Sequence, residues 1–373
     1  MIELAAIFLA GFIITVILTP LTIKLAFWLN LVDDPTRRSH PARQHIEILP
    51  RAGGLPIYLA IIFSVVIFLP LTKALIGIFL AITILLIIGL VDDRRLKFNP
   101  YVRLILLFLA AGTAVSSGIG INFITNPLYH LPNIFGQVSN LVLQLDRFII
   151  PINIFGTHRI VVLADLLALI WIVALTQVIN WSKGVDGQMP GITTVAGLTL
   201  ALLSLKLYFG GDPNQLPIAK LALIVAGSSL GFLLYNWHPA KILPGFSAST
   251  ILAFMLAVLS ILSGAKLATA MLVLAIPIVD FGYTFLRRIL TGHSPVWGDR
   301  GHLHHKLLDR GWSHPQISLF YILGSAMLGA VALLTDASSK FYLLLLVVTG
   351  VFGFILWSNS FGALSNPPDP DNG

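Results

Sequence analysis

Five stretches of this chain gather side chains able to do chemistry. The first reads Asp33-Asp34-Pro35-Thr36-Arg37-Arg38-Ser39-His40, then Pro50-Arg51-Ala52-Gly53-Gly54. The second ends Gly89-Leu90-Val91-Asp92-Asp93-Arg94-Arg95, and the third runs Asn180–Gln188 through Lys183, Gly184, Asp186 and Gly187. The fourth reads Asn236-Trp237-His238-Pro239-Ala240-Lys241, then Pro244-Gly245-Phe246; the fifth runs Ser294–His305 and closes Asp299-Arg300-Gly301-His302-Leu303-His304-His305. Asp92 and Asp93 end an apolar run, where ionised carboxylates are costly unless solvated or paired. Adjacent carboxylates suit a hard cation such as Mg²⁺; neutralisation by Arg94 and Arg95 is the plain alternative. Asp280 follows Pro277 inside another apolar run and needs a partner, with Arg287 or a substrate-side cation as candidates. The imidazoles of His302, His304 and His305 could ligate zinc. No acidic or cysteine ligand stands close to them, however, and Arg300 and Lys306 flank them. Phosphate recognition fits that setting better, and contact with anionic lipid is the bland alternative.

The elements that must position these residues are apolar. The chain has 373 residues, 57% hydrophobic and 10% charged, with a mean hydropathy of +0.90. A soluble globular protein is about 25% charged, so a soluble enzyme is excluded. With 0 cysteines, disulfides, thiolate metal sites, Fe–S clusters and a cysteine nucleophile are excluded too. A spanning helix needs about 20 mostly apolar residues. Eleven candidates appear: Ile2–Leu29, Leu55–Leu71, Ala74–Val91, Val102–Ile119, Val161–Ile179, Ile192–Phe209, Ile218–Tyr235, Ser247–Leu262, Leu267–Leu286, Ile317–Thr335 and Phe341–Trp357. The expected fold is an all-α integral membrane protein with one polytopic domain over residues 1–357 and a disordered tail over 358–373. Glu3 and the absence of a basic leader argue against reading the first span as a signal peptide.

Of the 23 basic residues, 15 fall on the loops that carry the five stretches, seven on the opposite loops, and Lys24 lies late in the first span. The positive-inside rule then puts the N-terminus outside and the C-terminus in the cytoplasm. The net charge of +7 also suits anionic ligands. The longest outer segment, about Gly120 to Ile160, is expected to form a hairpin or an amphipathic piece on the surface. No internal repeat of the kind common in transporters is visible.

Taken together, the loops resemble those of the polyprenyl-phosphate N-acetylhexosamine-1-phosphate transferases. The resemblance runs from about Asp34 to Arg310. It rests on Asp92-Asp93 closing the third span, the Asp/Gly-rich loop Asn180–Gln188, the Asn-x-x-Pro-Ala-Lys-x-x-x-Gly loop Asn236–Gly245, and the Asp-Arg-x-His-Leu-His-His loop Asp299–His305. The fifth stretch is similar to the branch using UDP-GlcNAc for surface polysaccharides or teichoic acids. Two positions depart from the family pattern: Lys183 and Phe246 stand where it usually carries aspartate, the latter as a magnesium ligand.

The resemblance implies an eleven-span, N-outside enzyme of the bacterial cytoplasmic membrane with its site on the cytoplasmic face. The enzyme would move GlcNAc-1-phosphate from UDP-GlcNAc to undecaprenyl phosphate and release UMP. It implies Asp92, Asp93, Asp186 and Asp280 as catalytic residues. Asn180, Lys183, Lys241, Arg300, His302, His304 and His305 would bind substrate, and Asp92 and Asp93 would hold Mg²⁺ at a site weakened by the two departures. Expected partners are the UDP-sugar, undecaprenyl phosphate and membrane lipid, with a homodimer as one allowed assembly and no nucleic acid. Two other readings stay open: a relative that binds lipid phosphate or nucleotide sugar without turnover, and a transporter of lipid-linked sugars.

Overall fold

The computed structural model describes residues 2–36, 45, 47–95, 98–126, 142–145, 149–153, 157–264, 267–294 and 301–365. Arg37, Arg38, His40, Arg300 and residues 366–373 of the expected tail lie outside them. The chain opens with α1 (Ile2–Trp28), then β1 (Val32–Asp33), β2 (Leu49–Pro50), α2 (Gly54–Phe68), α3 (Lys73–Arg94) and α4 (Pro100–Ser116). Four short strands follow: β3 (Phe123–Thr125), β4 (Val142–Gln144), β5 (Ile149–Asn153) and β6 (Thr157–Val161). The rest is helical: α5 (Val162–Trp181), α6 (Gln188–Phe209), α7 (Gln215–Asn236), α8 (Gly245–Leu262), α9 (Leu267–Val273), α10 (Ala275–Leu290), α11 (Leu303–Asp309), α12 (His314–Leu334) and α13 (Ala337–Ser365). Thus the last helix reaches eight residues into the segment expected to be a tail.

Among the described residues, eight helices are long and apolar enough to cross a membrane, or nine if α9 and α10 count as one. The chain is therefore a multi-pass membrane protein of the all-α class, with only short strands between its helices. The second and fourth expected spans are the shorter apolar helices Gly54–Phe68 and Pro100–Ser116. The ninth is not one rod: α9 and α10 meet at 82°. Pro277 explains the break, because it has no N–H for the Val273 carbonyl and its ring crowds that carbonyl. The outer segment forms two antiparallel pairs, β3 with β4 and β5 with β6, in keeping with the hairpin reading.

Local signals set the helix starts. Thr72 and Asn99 accept the Leu75 and Tyr101 N–H groups, and Ser313 with Gln316 forms a capping box before α12. Within α1, Thr15 and Thr19 return their hydroxyls to the Gly11 and Thr15 carbonyls, which satisfies polar groups where water is absent. The centre of the bundle is α8, 94% buried along its apolar window, whereas the peripheral α13 is 11% buried. Around α8 stand α2, α3, α5, α6 and α7, with α1 outside α7. Helices α3 and α8 approach so closely that a Cβ on Gly89 would lie 2.3 Å from Ser247 Cα. That contact draws the last turn of α3, with its two aspartates, onto the start of α8.

Candidate active site

The N-terminus of α8 organises the first cluster. Its opening N–H groups have no partners within the helix, and the Asp93 carboxylate supplies them from α3. Asp93 Oδ1 accepts the Phe246 N–H at 2.7 Å; Oδ2 accepts the Ser247 N–H at 3.3 Å and its hydroxyl at 2.8 Å. Gly245 turns the chain into this cap at φ +66°, and a Cβ there would meet the carboxylate at 2.3 Å. Arg51 reaches Asp93 at 3.5 Å, and Arg103 of α4 reaches Asp92 at 3.5 Å.

Lys183 completes the cluster. Its Nζ donates to Asn180 Oδ1 at 2.7 Å, the Gly245 carbonyl at 2.8 Å and Ser249 Oγ at 3.2 Å. Ser249 also donates to Asn180 Oδ1 at 2.8 Å, so Asn180 is spent on fixing the ammonium. The Phe246 ring presents its face to Lys183 Nζ and to the Arg103 guanidinium, each 5.5 Å from the ring centre. Burial, and after it the charge of Arg51, pull the Lys183 ammonium down to about 7, against the attraction of Asp93 and Asp92. Two carboxylates thus face three cationic side chains, and Arg51 also reaches Asp33 at 3.7 Å, so the charges balance while Lys183 holds its proton.

This arrangement does not fit Mg²⁺ at Asp93. Both oxygens of that carboxylate already accept hydrogen bonds, and an ammonium stands where a second cation would have to come. Mg²⁺ also demands a nearly octahedral oxygen shell, which Phe246 and Lys183 cannot furnish.

The second cluster surrounds Asp186. Its Oδ2 faces His238 Nδ1 at 2.8 Å, the Ala240 N–H at 3.2 Å and His314 Nδ1 at 3.7 Å, and its Oδ1 faces His45 Nε2 at 3.1 Å. Burial would push this carboxyl up, but the hydrogen bonds and charges of His45, His238 and His314 outweigh it and hold the group below the ordinary aspartate range. Asn236 fixes the loop by accepting the Gly187 N–H at 3.1 Å and donating to the Ile242 carbonyl at 2.9 Å.

The third cluster is the histidine segment. Asp280 is buried and accepts the Leu303 N–H at 2.7 Å, with His302 Nδ1 at 3.2 Å. It therefore anchors the start of α11 and orients one imidazole. Arg287, the partner considered from sequence, lies with its guanidinium against Gly301. His302 stacks on His304 with ring centres 5.4 Å apart, and His304 meets His305 at 4.3 Å. Burial, helped by His305 and His302, pushes His304 well below the usual imidazole range. It is a neutral hydrogen-bonding group at pH 7, not a cation. Gly184 lies directly against its ring.

One loop joins all three clusters. Lys183 faces Asp93, Gly184 faces His304 and Asp186 faces His238, within three residues and so within about 11 Å along the chain. Of the residues singled out in the sequence, Asp92, Asp93, Asn180, Lys183, Asp186, Asp280, His302, His304 and His305 fall into these clusters. Lys241 does not: it is exposed, and the bond recorded for it is its backbone N–H to the Tyr235 carbonyl. Arg300 lies outside the described residues. Sequence reasoning gave no role to Arg51, Arg103, His45, His238, Ser247, Ser249 or His314. No spacing rule unites them, because they come from five separate stretches of the chain.

Residues 75–264 match the sequence profile of glycosyl transferase family 4. The chain is 28% identical over 361 residues to a probable undecaprenyl-phosphate N-acetylglucosaminyl 1-phosphate transferase of Bacillus subtilis, covering 93% of this chain and 90% of that protein. It is 30% identical over 349 residues to a decaprenyl-phosphate N-acetylglucosaminephosphotransferase of Mycobacterium leprae, covering 86% and 81%. To an undecaprenyl-phosphate alpha-N-acetylglucosaminyl 1-phosphate transferase of Escherichia coli O157:H7 it is 26% identical, covering 90% and 84%.

Proposed function

This chain belongs to glycosyl transferase family 4, and on that premise we propose that it transfers GlcNAc-1-phosphate from UDP-GlcNAc to undecaprenyl phosphate. The observation that carries the reading is the Asp92–Asp93 pair set among Arg51, Arg103 and Lys183. Both reactants are anionic phosphates, so cations must offset their repulsion and stabilise the charge of the transition state. An oxygen of the lipid phosphate attacks the phosphorus bonded to the sugar. The bond from that phosphorus to the bridging oxygen breaks, and UMP leaves with that oxygen.

Asp93 is occupied as the cap of α8. Asp92, bound by one guanidinium, is the better group to orient the lipid phosphate or take its proton. Lys183, fixed by Asn180, Gly245 and Ser249, carries the positive charge beside the diphosphate. Asp186 and the His302–His305 segment face the nucleotide sugar, with His304 acting as a hydrogen-bonding partner. Asp280 is a positioning residue for that segment. The span count is eleven when the two short helices and the bent pair are each taken as crossings. The asymmetry of the basic loops supports a site on the cytoplasmic face of the bacterial inner membrane, with the N-terminus outside.

The test is UMP release by the purified protein in detergent, given UDP-GlcNAc and undecaprenyl phosphate. Release that requires both substrates is the expected result. Binding of either substrate without release would favour the non-catalytic relative, because Lys183 would then block the site instead of serving it.

A further inference from the structure

The environment of Asp186 contains one imidazole more than its carboxylate uses. His238 Nδ1 and the Ala240 N–H occupy Oδ2, and His45 Nε2 occupies Oδ1. His314 Nδ1 is buried, has no hydrogen-bond partner among the described residues, and stands 3.7 Å from Oδ2. Its ring lies 4.6 Å from that of His238, tilted by 34°. Simple hydrogen bonding of a buried carboxylate accounts for His45 and His238 but leaves His314 unexplained.

We propose that Asp186, His238 and His314 form a site for a zinc-class divalent cation, with His45 orienting the carboxylate. One donor atom from each of the three lies within 4.8 Å of the other two. Around tetrahedral zinc, bonds of about 2.0–2.1 Å put neighbouring donors about 3.3 Å apart. The separations of 2.8 and 3.7 Å from Asp186 Oδ2 straddle that spacing. Two imidazoles and a carboxylate select zinc, cobalt or nickel over magnesium. A ligating carboxylate that is itself hydrogen-bonded, as His45 does here, is the usual outer-shell arrangement. Three protein donors leave a coordination position for water or an oxygen of an anionic ligand. The His238 side chain is 41% exposed, which gives an ion a way in.

The proposal shares Asp186 with the transferase site but is argued from geometry alone, and its test is separate from that of the transferase reading. The untagged full-length protein in detergent, with no sugar nucleotide or lipid phosphate present, is dialysed against Zn²⁺ or Co²⁺ at micromolar concentration. The expected result is one ion per chain, a visible Co²⁺ spectrum of four-coordinate character, and no displacement by millimolar Mg²⁺. His238→Ala and His314→Ala each weaken binding by at least about tenfold. In parallel, the parent protein is treated with diethylpyrocarbonate and mapped by mass spectrometry, which needs no variant to fold. Zn²⁺ is expected to protect His238. A parent that takes up neither ion, a His238 that Zn²⁺ leaves unprotected, or binding that both substitutions leave unchanged would overturn the site. UMP release bears only on the transferase reading.

Discussion

The Asp93 and Asp186 carboxylates are both buried and both meet at the loop Asn180–Gln188, the first through Lys183 and the second as a residue of the loop, yet their side-chain partners differ in kind. Asp93 receives backbone N–H groups, a hydroxyl and a guanidinium, with a lysine ammonium alongside. None of the donors bonded to it loses its proton near neutral pH, so that cluster is fixed. Asp186 receives the imidazoles of His45 and His238 beside the Ala240 N–H, with His314 near, and imidazoles ligate metals. One side of the loop is thus a lining whose two guanidiniums stay charged while Lys183 changes charge near pH 7, and the other is a site whose charge depends on what binds there. The difference separates a group that builds the fold around the reaction from one free to respond to a ligand.

The largest effect should come from Asp92, the carboxylate of the first cluster that caps no helix. Asp92→Asn is expected to lower kcat for UMP release by about 10²–10⁴-fold, with the thermal transition in detergent little changed. Asp93→Asn should instead lower the transition temperature along with activity, because one oxygen becomes an amide donor facing the N–H groups of α8. If both variants lose activity and stability in the same proportion, the division of labour between the two aspartates fails.

Lys183 comes next. Its ammonium is pulled down to about 7, so it is charged below that pH and neutral above it. If the charge serves the diphosphate, kcat/KM falls as pH rises through the neutral range, by up to about tenfold per unit above the pKa. Lys183→Arg keeps its charge throughout and should flatten the profile, while Lys183→Met should be slow at every pH. Added Mg²⁺ should change the parent rate by less than about twofold, and the double variant Lys183→Asp, Phe246→Asp should become Mg²⁺-dependent. A parent that requires Mg²⁺ would show that the ammonium does not carry the charge.

Much of this was legible in the sequence. Every expected span falls on a helix or on the bent pair, because long apolar runs in a membrane have no other way to satisfy their backbone. The loop motifs singled out Asp92, Asp93, Lys183, Asp186 and the histidine segment, and Asp280 stood out as a carboxylate inside an apolar run. What could not be read was which group each residue meets. Asp93 as a cap follows from the approach of Gly89 to Ser247, a tertiary contact between positions far apart in the chain. For Asp280 the sequence suggests Arg287 or a substrate-side cation, because its actual partner His302 is 22 residues further on, beyond the end of α10. The imidazoles at 45, 238 and 314 have no common spacing, and they become a cluster only through the folding of three loops onto Asp186.

Packing supplies the next smaller effect. Gly89→Ala forces a methyl group against Ser247, which belongs to the central and most buried helix. Overpacking of this kind costs about 1–3 kcal/mol. A lower transition temperature with the pH profile of the remaining activity unchanged would show that α3 and α8 are positioned by this contact without retuning Lys183. A changed profile would mean that the first cluster is less rigid than the caps of α8 suggest.

The smallest effect tests the second cluster. His45 touches Asp186 through Oδ1, on the side away from His238 and His314. His45→Ala removes one partly exposed hydrogen bond and should cost about 0.5–1.5 kcal/mol of stability. As an outer partner of a ligating carboxylate, its loss should weaken Zn²⁺ binding by about 10–100-fold without abolishing it. His314→Ala removes a donor and should abolish it. Equal losses in the two variants would make His45 a fourth ligand, because only a donor atom on the ion matters as much as another donor atom. The site would then have no open position, and the cation would clamp the loops carrying residues 45, 186, 238 and 314 without any place for a substrate oxygen.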